Sequence, residues 1–487
     1  MDELKRLIDI LERKGKGSAS AILNYADHTN LETQLYQLAK DDELKEESFF
    51  VEQLYSTPDK AGAYKMLKSR VKRKLYNQLL FLDTDNPKLV DLIGSIKLKC
   101  RKILYQADSL RRLDESVLSE QQLKKALTIA QDAQLVEHEI DGLEQLRILL
   151  AEKKFKRKEF DKCTARLDKL YQIQEIERAS DKIYYDFRFN IKFGVETNYK
   201  LKQKLLGYVN ELQNYWEATN SNMVFRRYHQ LKMFYYEMEG DFDSYIIYLK
   251  NTFLLYNSGK IHHLYFSENF NKYVLVFAYL RTQNYIEGLK EAEELKYRIE
   301  NGTNNWFMHM ENYFYLAVHS KNYHEANSIL TEVVTNKYFA ELKHVAQERW
   351  ILYSGFFNYL TGGTVKIKNN KKLKYIPQDK KGYNVWALIL DCVLALDKKQ
   401  ADLIEREIDR LRKFIPSYLV DKEDARTKLF LKLLQVAGRE YSDAKVCRRK
   451  GAYLFNKLQK TPVPGIAYAE TEIVPYEHLW ELILTKM

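Results

Sequence analysis

Ten histidines and four cysteines are the side chains of this 487-residue sequence best suited to metal binding or nucleophilic chemistry, so their spacing is the first test of function. His262-His263 is the one adjacent histidine pair, and chain neighbours point in different directions. It lacks the i, i+4 partner and the carboxylate of a zinc helix. His319 and His324 stand five apart across a turn, also poor ligand geometry. Cys100, Cys163, Cys392 and Cys447 are too far apart for a C-x-x-C clip and form no small-protein disulfide framework. They read as reduced structural thiols of a cytoplasmic protein. Glu137-His138-Glu139-Ile140-Asp141 places an imidazole among carboxylates, a composition expected on a solvated helix exterior. Lys14-Gly15-Lys16-Gly17-Ser18 invites a phosphate-loop reading, but it lacks the G-x-x-x-x-G-K-[S/T] spacing and no strand precedes it, so it reads as an interhelical linker. No G-x-S-x-G elbow or G-x-G-x-x-G fingerprint occurs. The expectation is a non-enzymatic protein with no catalytic residue, no metal and no cofactor.

Whatever the chain does must then come from its surfaces, and the composition says what builds them. Glycine and proline number only 18 and 7, about half of ordinary usage. Sandwiches and barrels need such residues at every turn, so the scarcity predicts an all-α fold. Hydrophobic residues at 45% and charged residues at 30% exclude wholesale disorder. The length corresponds to roughly three domains. The start, Met1-Asp2-Glu3-Leu4-Lys5, has no signal-peptide character, and apolar runs such as Val274–Leu280 are far short of a spanning helix. No membrane partner is expected.

The net charge of +11 is concentrated. Residues 60–104 carry twelve Lys/Arg against three Asp, and residues 364–381 carry seven Lys against one Asp. That pattern favours an anionic partner. Within a helix read over about 59–82, Tyr64, Leu67, Val71 and Leu75 share one face, and Lys65, Lys68, Lys72 and Arg73 project elsewhere. These cations either cover a core helix with their stems or contact phosphates.

From about residue 143 a short pattern recurs: a polar or glycine turn, an aromatic, two residues, then usually a small one. It is seen at Lys158-Glu159-Phe160-Asp161-Lys162-Cys163, Gly240-Asp241-Phe242-Asp243-Ser244-Tyr245, Gln283-Asn284-Tyr285-Ile286-Glu287-Gly288, Lys321-Asn322-Tyr323-His324-Glu325-Ala326 and Arg439-Glu440-Tyr441-Ser442-Asp443-Ala444. The aromatics lie 82, 43, 38 and 118 residues apart, near multiples of 40, with Tyr199 where the missing turn belongs. Each turn joins two helical stretches of about 15 residues, so residues 143–460 read as helical hairpins in series. The five aromatics are expected to be buried plugs, and the small residue to let the two backbones approach.

These segments resemble the G-x-Y-x-x-A turn of the tetratricopeptide-like superfamily, although the period is nearer 40 than 34 and the W-x-x-L-G pattern of the first helix is absent. The resemblance implies a right-handed α-solenoid whose first helices line a concave surface. On those helices Arg226, Arg227, Tyr236, Tyr273, Arg281, Trp306, Tyr313, Arg349 and Tyr353 are candidate partner-binding residues, because Tyr, Trp and Arg dominate interface hot spots. Packing demand predicts that about two thirds of the aromatics are core. A protein or peptide in the groove is the expected partner, with nucleic acid as the alternative.

The expected organisation is an N-terminal helical domain over 1–142, repeats over 143–361, a basic insertion at 362–382, further hairpins over 383–460, and a linker with a short capping helix over 461–487. Alternation around Val365, Ile367 and Leu373 suggests a small β-hairpin at 364–376 in place of a helix. Its lysines, Lys366, Lys368, Lys371, Lys372 and Lys374, are candidate anion contacts.

Overall fold

The structure is a computed structural model that describes residues 23, 24, 26–40, 46–79, 91–193, 198–363, 383–419, 425–461 and 472–487. Among them are 20 α-helices and no strand, an all-α fold of the helical-repeat kind. The basic segment 364–382, with the five candidate lysines and the expected hairpin, lies outside the described residues, as does the Lys14–Ser18 linker. The chain divides into two compact units: residues 1–181 with 219–222, and 182–218 with 223–487.

In the first unit, α1 (Leu31–Lys40), α2 (Glu47–Tyr55) and α3 (Ala61–Leu79) enclose a small core of Leu35, Val51, Tyr64, Leu67 and Val71. Then α4 (Leu92–Arg112), α5 (Ser116–Asp132) and α6 (Val136–Leu149) pack each on the next, and α4 also meets α6. Gly142 shows why: a Cβ there would stand 2.9 Å from Leu127 Cδ2 and 3.3 Å from Leu104 Cδ2, so its bare backbone lets α6 sit against both neighbours. This is repeat packing, and it begins some 50 residues before the turn pattern does.

A short π-helical turn at Leu150–Lys154 leads to α7 (Arg157–Phe193). The repeat period predicts a hairpin between Phe160 and Tyr199. The structure has one 37-residue helix instead. No glycine or proline interrupts residues 157–193, so nothing local breaks the helix. The second unit continues with α8 (Asn198–Thr219), α9 (Asn222–Glu239), α10 (Phe242–Asn257), α11 (Glu268–Arg281), α12 (Tyr285–Lys296), α13 (Asn304–His319), α14 (Tyr323–Thr335) and α15 (His344–Thr361). After them come α16 (Tyr383–Asp397), α17 (Ala401–Tyr418), α18 (Ala425–Arg439), α19 (Ala444–Lys460) and α20 (Tyr476–Lys486). From α10 onward each helix packs on its successor, with α11 on α13 and α16 on α18 as next-nearest pairs. Contrary to expectation, α15 does not lack a partner. α16 packs on it, with Phe356 edge-on to Trp386 at 5.7 Å, so the insertion interrupts the chain without replacing a helix.

Four turns, two in each unit, close identically. Asp114, Gln134, Gln283 and Lys321 take left-handed φ values of 52–64°, and the next residue's N–H donates to the carbonyl five residues back. These bonds are Glu115 to Leu110 (2.9 Å), Leu135 to Ala130 (2.8 Å), Asn284 to Tyr279 (3.0 Å) and Asn322 to Ala317 (2.8 Å). This is the Schellman closure, which satisfies the orphan carbonyls of the first helix while turning the chain into the second.

The expected plugs are corrected in part. Phe242 is buried, whereas Phe160, Tyr285, Tyr323 and Tyr441 are half-buried. The deepest position comes three residues later: Cys163, Tyr245, Gly288 and Ala326 are buried. A Cβ on Gly288 would meet Leu316 Cδ2 at 2.7 Å, so this position sets the helix separation. The first residue of a helix projects from its free end and reaches forward instead. Phe242 lies edge-on to Phe277, Tyr285 to His319 and Tyr323 to Phe357, each on the first helix of the next hairpin. These aromatics staple successive hairpins.

The last segment is more than a cap. From α20 and the residues before it, Glu472 accepts from His319 through its carbonyl at 2.6 Å, and His478 Nε2 lies 3.1 Å from the Tyr323 hydroxyl. Tyr476 stacks on Phe430 at 4.3 Å and on Trp386 at 5.5 Å, and Lys486 donates to the Tyr359 carbonyl at 2.8 Å. One short helix thus ties together hairpins more than 150 residues away in sequence.

Candidate functional site

The candidate surface lies on the first helices of the second unit. Tyr273, Glu311 and Arg349 stand 38 residues apart on α11, α13 and α15, and so do Phe277, Tyr315 and Tyr353 one turn on. Arg281, His319 and Phe357 form the third row. Residues four apart share a helix face, so nine positions make a three-by-three grid in strict register. Glu237 on α9, outside this register, acts electrostatically on the first row at Tyr273. The rows are contiguous: the Tyr273 phenol, pushed up by burial, also feels Glu311, Arg349 and Glu237. An Arg349 Nη2 lies 3.4 Å from Glu311, and the Tyr315 hydroxyl donates to Tyr353 at 2.9 Å.

The structure sorts the sequence candidates by depth. Tyr236, Tyr273, Arg226, Arg281 and Arg349 are half-buried on this set of helices. Trp306, Tyr313 and Tyr353 are buried, a correction, because helix-to-helix packing uses their full area. The Tyr313 hydroxyl donates to Glu325 at 2.8 Å inside the same hairpin. Arg227 is half-buried and committed to α7, its guanidinium 4.3 Å from the Tyr184 ring centroid and 5.2 Å from that of Tyr185. Glu237 and Glu311 escape sequence reading because single carboxylates carry no motif. The 38-residue register of Tyr273, Glu311 and Arg349 is the signal that finds Glu311; Glu237 stands outside that register and carries no such signal.

The third row borders a cavity of about 460 Å³ lined by Arg281, Tyr285, His319, Arg426, Glu472 and Glu477, among others. Its charges are largely engaged with one another. Arg426 donates from Nε to Glu472 at 2.7 Å, from Nη2 to both Glu477 oxygens at 2.9 Å, and from Nη1 to the Leu458 and Thr461 carbonyls at 3.1 and 2.8 Å. Glu472 also accepts the Tyr476 N–H at 2.9 Å. Arg281 is pushed down to about 10 by burial, with Glu472 opposing, and its guanidinium sits 5.4 Å from the Phe277 ring centroid. Such an arrangement anchors the C-terminal segment and presents no paired acid and base.

The buried histidines are equally settled. His229 Nε2 lies 2.7 Å from Asn271 Oδ1, which can only accept, so Nδ1 is left to accept from the Tyr248 hydroxyl at 2.8 Å. That pattern holds the ring neutral, and burial pushes its pKa down to about 4. His309 donates to the Ala292 carbonyl at 2.8 Å and is likewise pushed down to about 4 by burial. Glu311 moves the other way: burial raises it to about 7 against the pull of Arg349. Acidification below 6.5 therefore costs stability at the two histidines, whereas Glu311 stabilises below 4.5 and loses that contribution as pH rises toward 7. Replacing Glu311→Gln removes the compensating carboxyl. Between pH 7 and 5 the variant should lose about 2 kcal/mol more than the parent, read from urea midpoints at the two pH values. Equal losses would show that Glu311 is not protonated on acidification.

The Glu137–Asp141 cluster is the solvated face its composition suggests only in part, at the exposed Glu137 and Asp141. His138 and Glu139 are buried, and Arg166 on α7 forks onto Glu139 with two bonds of 2.9 Å. All four cysteines are buried and unpaired, with thiol pKa values raised by burial. Among the described residues, no group of three or more His, Cys, Asp and Glu is placed to hold a metal ion. None of the described helices is long and apolar enough to cross a membrane.

In the first unit, Lys65, Lys72 and Arg73 are exposed on α3, while Lys68 is half-buried and paired with Glu47 at 2.5 Å. Compared with known proteins, the chain matches no family model, no curated sequence and no solved structure.

Proposed function

We propose that the second unit is a non-enzymatic binding scaffold that holds a protein or peptide partner along its first helices. The observation that carries this reading is the in-register grid. Tyr236, Tyr273, Phe277, Tyr315 and Arg349 are half-buried on four successive first helices, with their bases fixed by hairpin packing. Half-exposed Tyr and Arg on a rigid frame lose little entropy on binding and are the residue types that anchor interfaces. A repeating platform suits an extended polypeptide, which can place successive side chains against successive hairpins. Four unpaired cysteines support a place in the cytoplasm.

A photo-crosslinking residue at position 273, compared with one at the exposed Tyr453 of α19, tests the reading. In cells that make the protein, position 273 should capture a discrete polypeptide and position 453 should not. Capture at 453 alone, or at neither position, would remove the support for a binding groove.

A further inference from the structure

We infer that the outer faces of α3 and α4 in the first unit bind single-stranded nucleic acid, with cations on the phosphates and an exposed tyrosine on each helix stacking on a base. This is independent of the scaffold reading, which concerns the other unit.

The sequence of α3 contains six Lys/Arg and no Asp or Glu. Two of the cations are consumed at home: Lys68 pairs with Glu47 at 2.5 Å, and Lys74 with Glu32 at 2.6 Å. Arg70 reaches Glu32 only at 3.8 Å. Lys65, Lys72 and Arg73 are exposed and make no ion pair among the described residues. Helical geometry puts Lys65, Ser69, Lys72, Arg73 and Tyr76 on one side, opposite the buried Tyr64, Leu67 and Val71. From Lys65 to Tyr76 the row is about 16 Å long, several phosphate spacings of a nucleic-acid strand. Tyr76 is 71% exposed at its end and Met66 70% exposed beside it.

α4 repeats the arrangement. Lys99 is exposed and Lys102 half-exposed, neither in an ion pair among the described residues, and Tyr105 one turn on from Lys102 is 72% exposed. Asp108, the single acid in Leu92–Arg112, is occupied by Arg111 and Arg112 at 2.6 and 2.7 Å. A large tyrosine left in water serves no packing purpose, yet its flat face beside cations is what stacking on any base requires.

The same features weigh against other anions. An anionic membrane would call for one broad apolar face, whereas the large hydrophobics exposed among the described residues of these helices, Met66 and Tyr76 of α3 and Leu92, Leu98 and Tyr105 of α4, are spread singly along the two helices. An acidic peptide would call for apolar anchors in pockets, whereas the exposed aromatics here, Tyr76 and Tyr105, each stand one helical turn from a cation, Arg73 and Lys102. A uniform polyanion with aromatic bases is the better complement.

The test is fluorescence anisotropy of the full chain with fluorescein-labelled dT20 and U20 across a salt series. The parent should bind both, with affinity falling steeply as salt rises. Lys65→Ser/Lys72→Ser/Arg73→Ser should lessen the log–log salt slope by about two, at roughly 0.7 per phosphate contact. Tyr76→Ala should weaken binding about 5- to 100-fold, the range of a lost base stack, while Tyr76→Phe should bind like the parent. All four positions are exposed, so helix content and melting temperature should not move. Absence of binding by the parent at 50 mM salt would overturn the proposal. So would unchanged affinity of Tyr76→Ala, or competition by polyglutamate or phosphatidylserine vesicles as effective as unlabelled dT20.

Discussion

A chain ended at Thr461, and so lacking α20, should lose the cooperative unfolding of its second unit. Tyr476, Leu479, Trp480, Ile483 and Leu484 are all buried, and they complete a core that runs from α11 to α20. Trp480 fills the space above Gly451, where a Cβ would stand 2.8 Å from the indole. Removing the helix would expose this core and strip His319 and Tyr323 of Glu472 and His478. The single substitution Trp480→Ala isolates one part of the effect and should cost about 3–5 kcal/mol, as for other fully buried large aromatics. Urea unfolding followed by circular dichroism reads both variants. A shortened chain that kept the parent midpoint and slope would show that α20 is only a cap.

Arg426→Met should cost about 3–5 kcal/mol at neutral pH, because it leaves Glu472 buried without its counter-ion. Burial already raises the Glu472 carboxyl, and Arg426 is the main group holding it back. Without the guanidinium the folded pKa rises further above the unfolded value. Stability from a raised carboxyl is complete below the unfolded pKa and is lost as pH rises through the folded one. The deficit of Arg426→Met should therefore shrink as the solution is acidified from pH 7 toward 5, and adding Glu472→Gln should recover part of it at pH 7. A deficit independent of pH, together with no recovery in the double variant, would place the loss in packing and not in the uncompensated charge.

Much of the architecture is legible in order and composition. The scarcity of breakers predicts helices throughout, and the recurring turns at Phe242, Tyr285 and Tyr323 mark hairpins that the structure contains. The turns before α5 and α6 fall outside the recurring pattern because neither has the aromatic; their left-handed positions hold Asp114 and Gln134, just as the recognised turns hold Gln283 and Lys321. Backbone geometry, not side-chain chemistry, makes them members of the same series. The break expected between Phe160 and Tyr199 fails for the opposite reason: a periodic count was extended across residues with no local stop signal.

What the sequence by itself determined about this protein is its fold class, the hairpin turns at Phe242, Tyr285 and Tyr323, and the concentration of positive charge over residues 60–104 and 364–381. Helix propensity, turn conformation and charge are properties of residues and near neighbours, so they can be read along the chain. Only the tertiary structure decided which aromatics are core. The buried Tyr313 and Tyr353 are the same residue type as the half-buried Tyr236 and Tyr273, and depth depends on which helix comes to lie against them. It also decided that the C-terminal helix locks hairpins more than 150 residues away, and that Glu139 and Glu472 are buried. Burial is a sum over distant partners, and no local pattern encodes it.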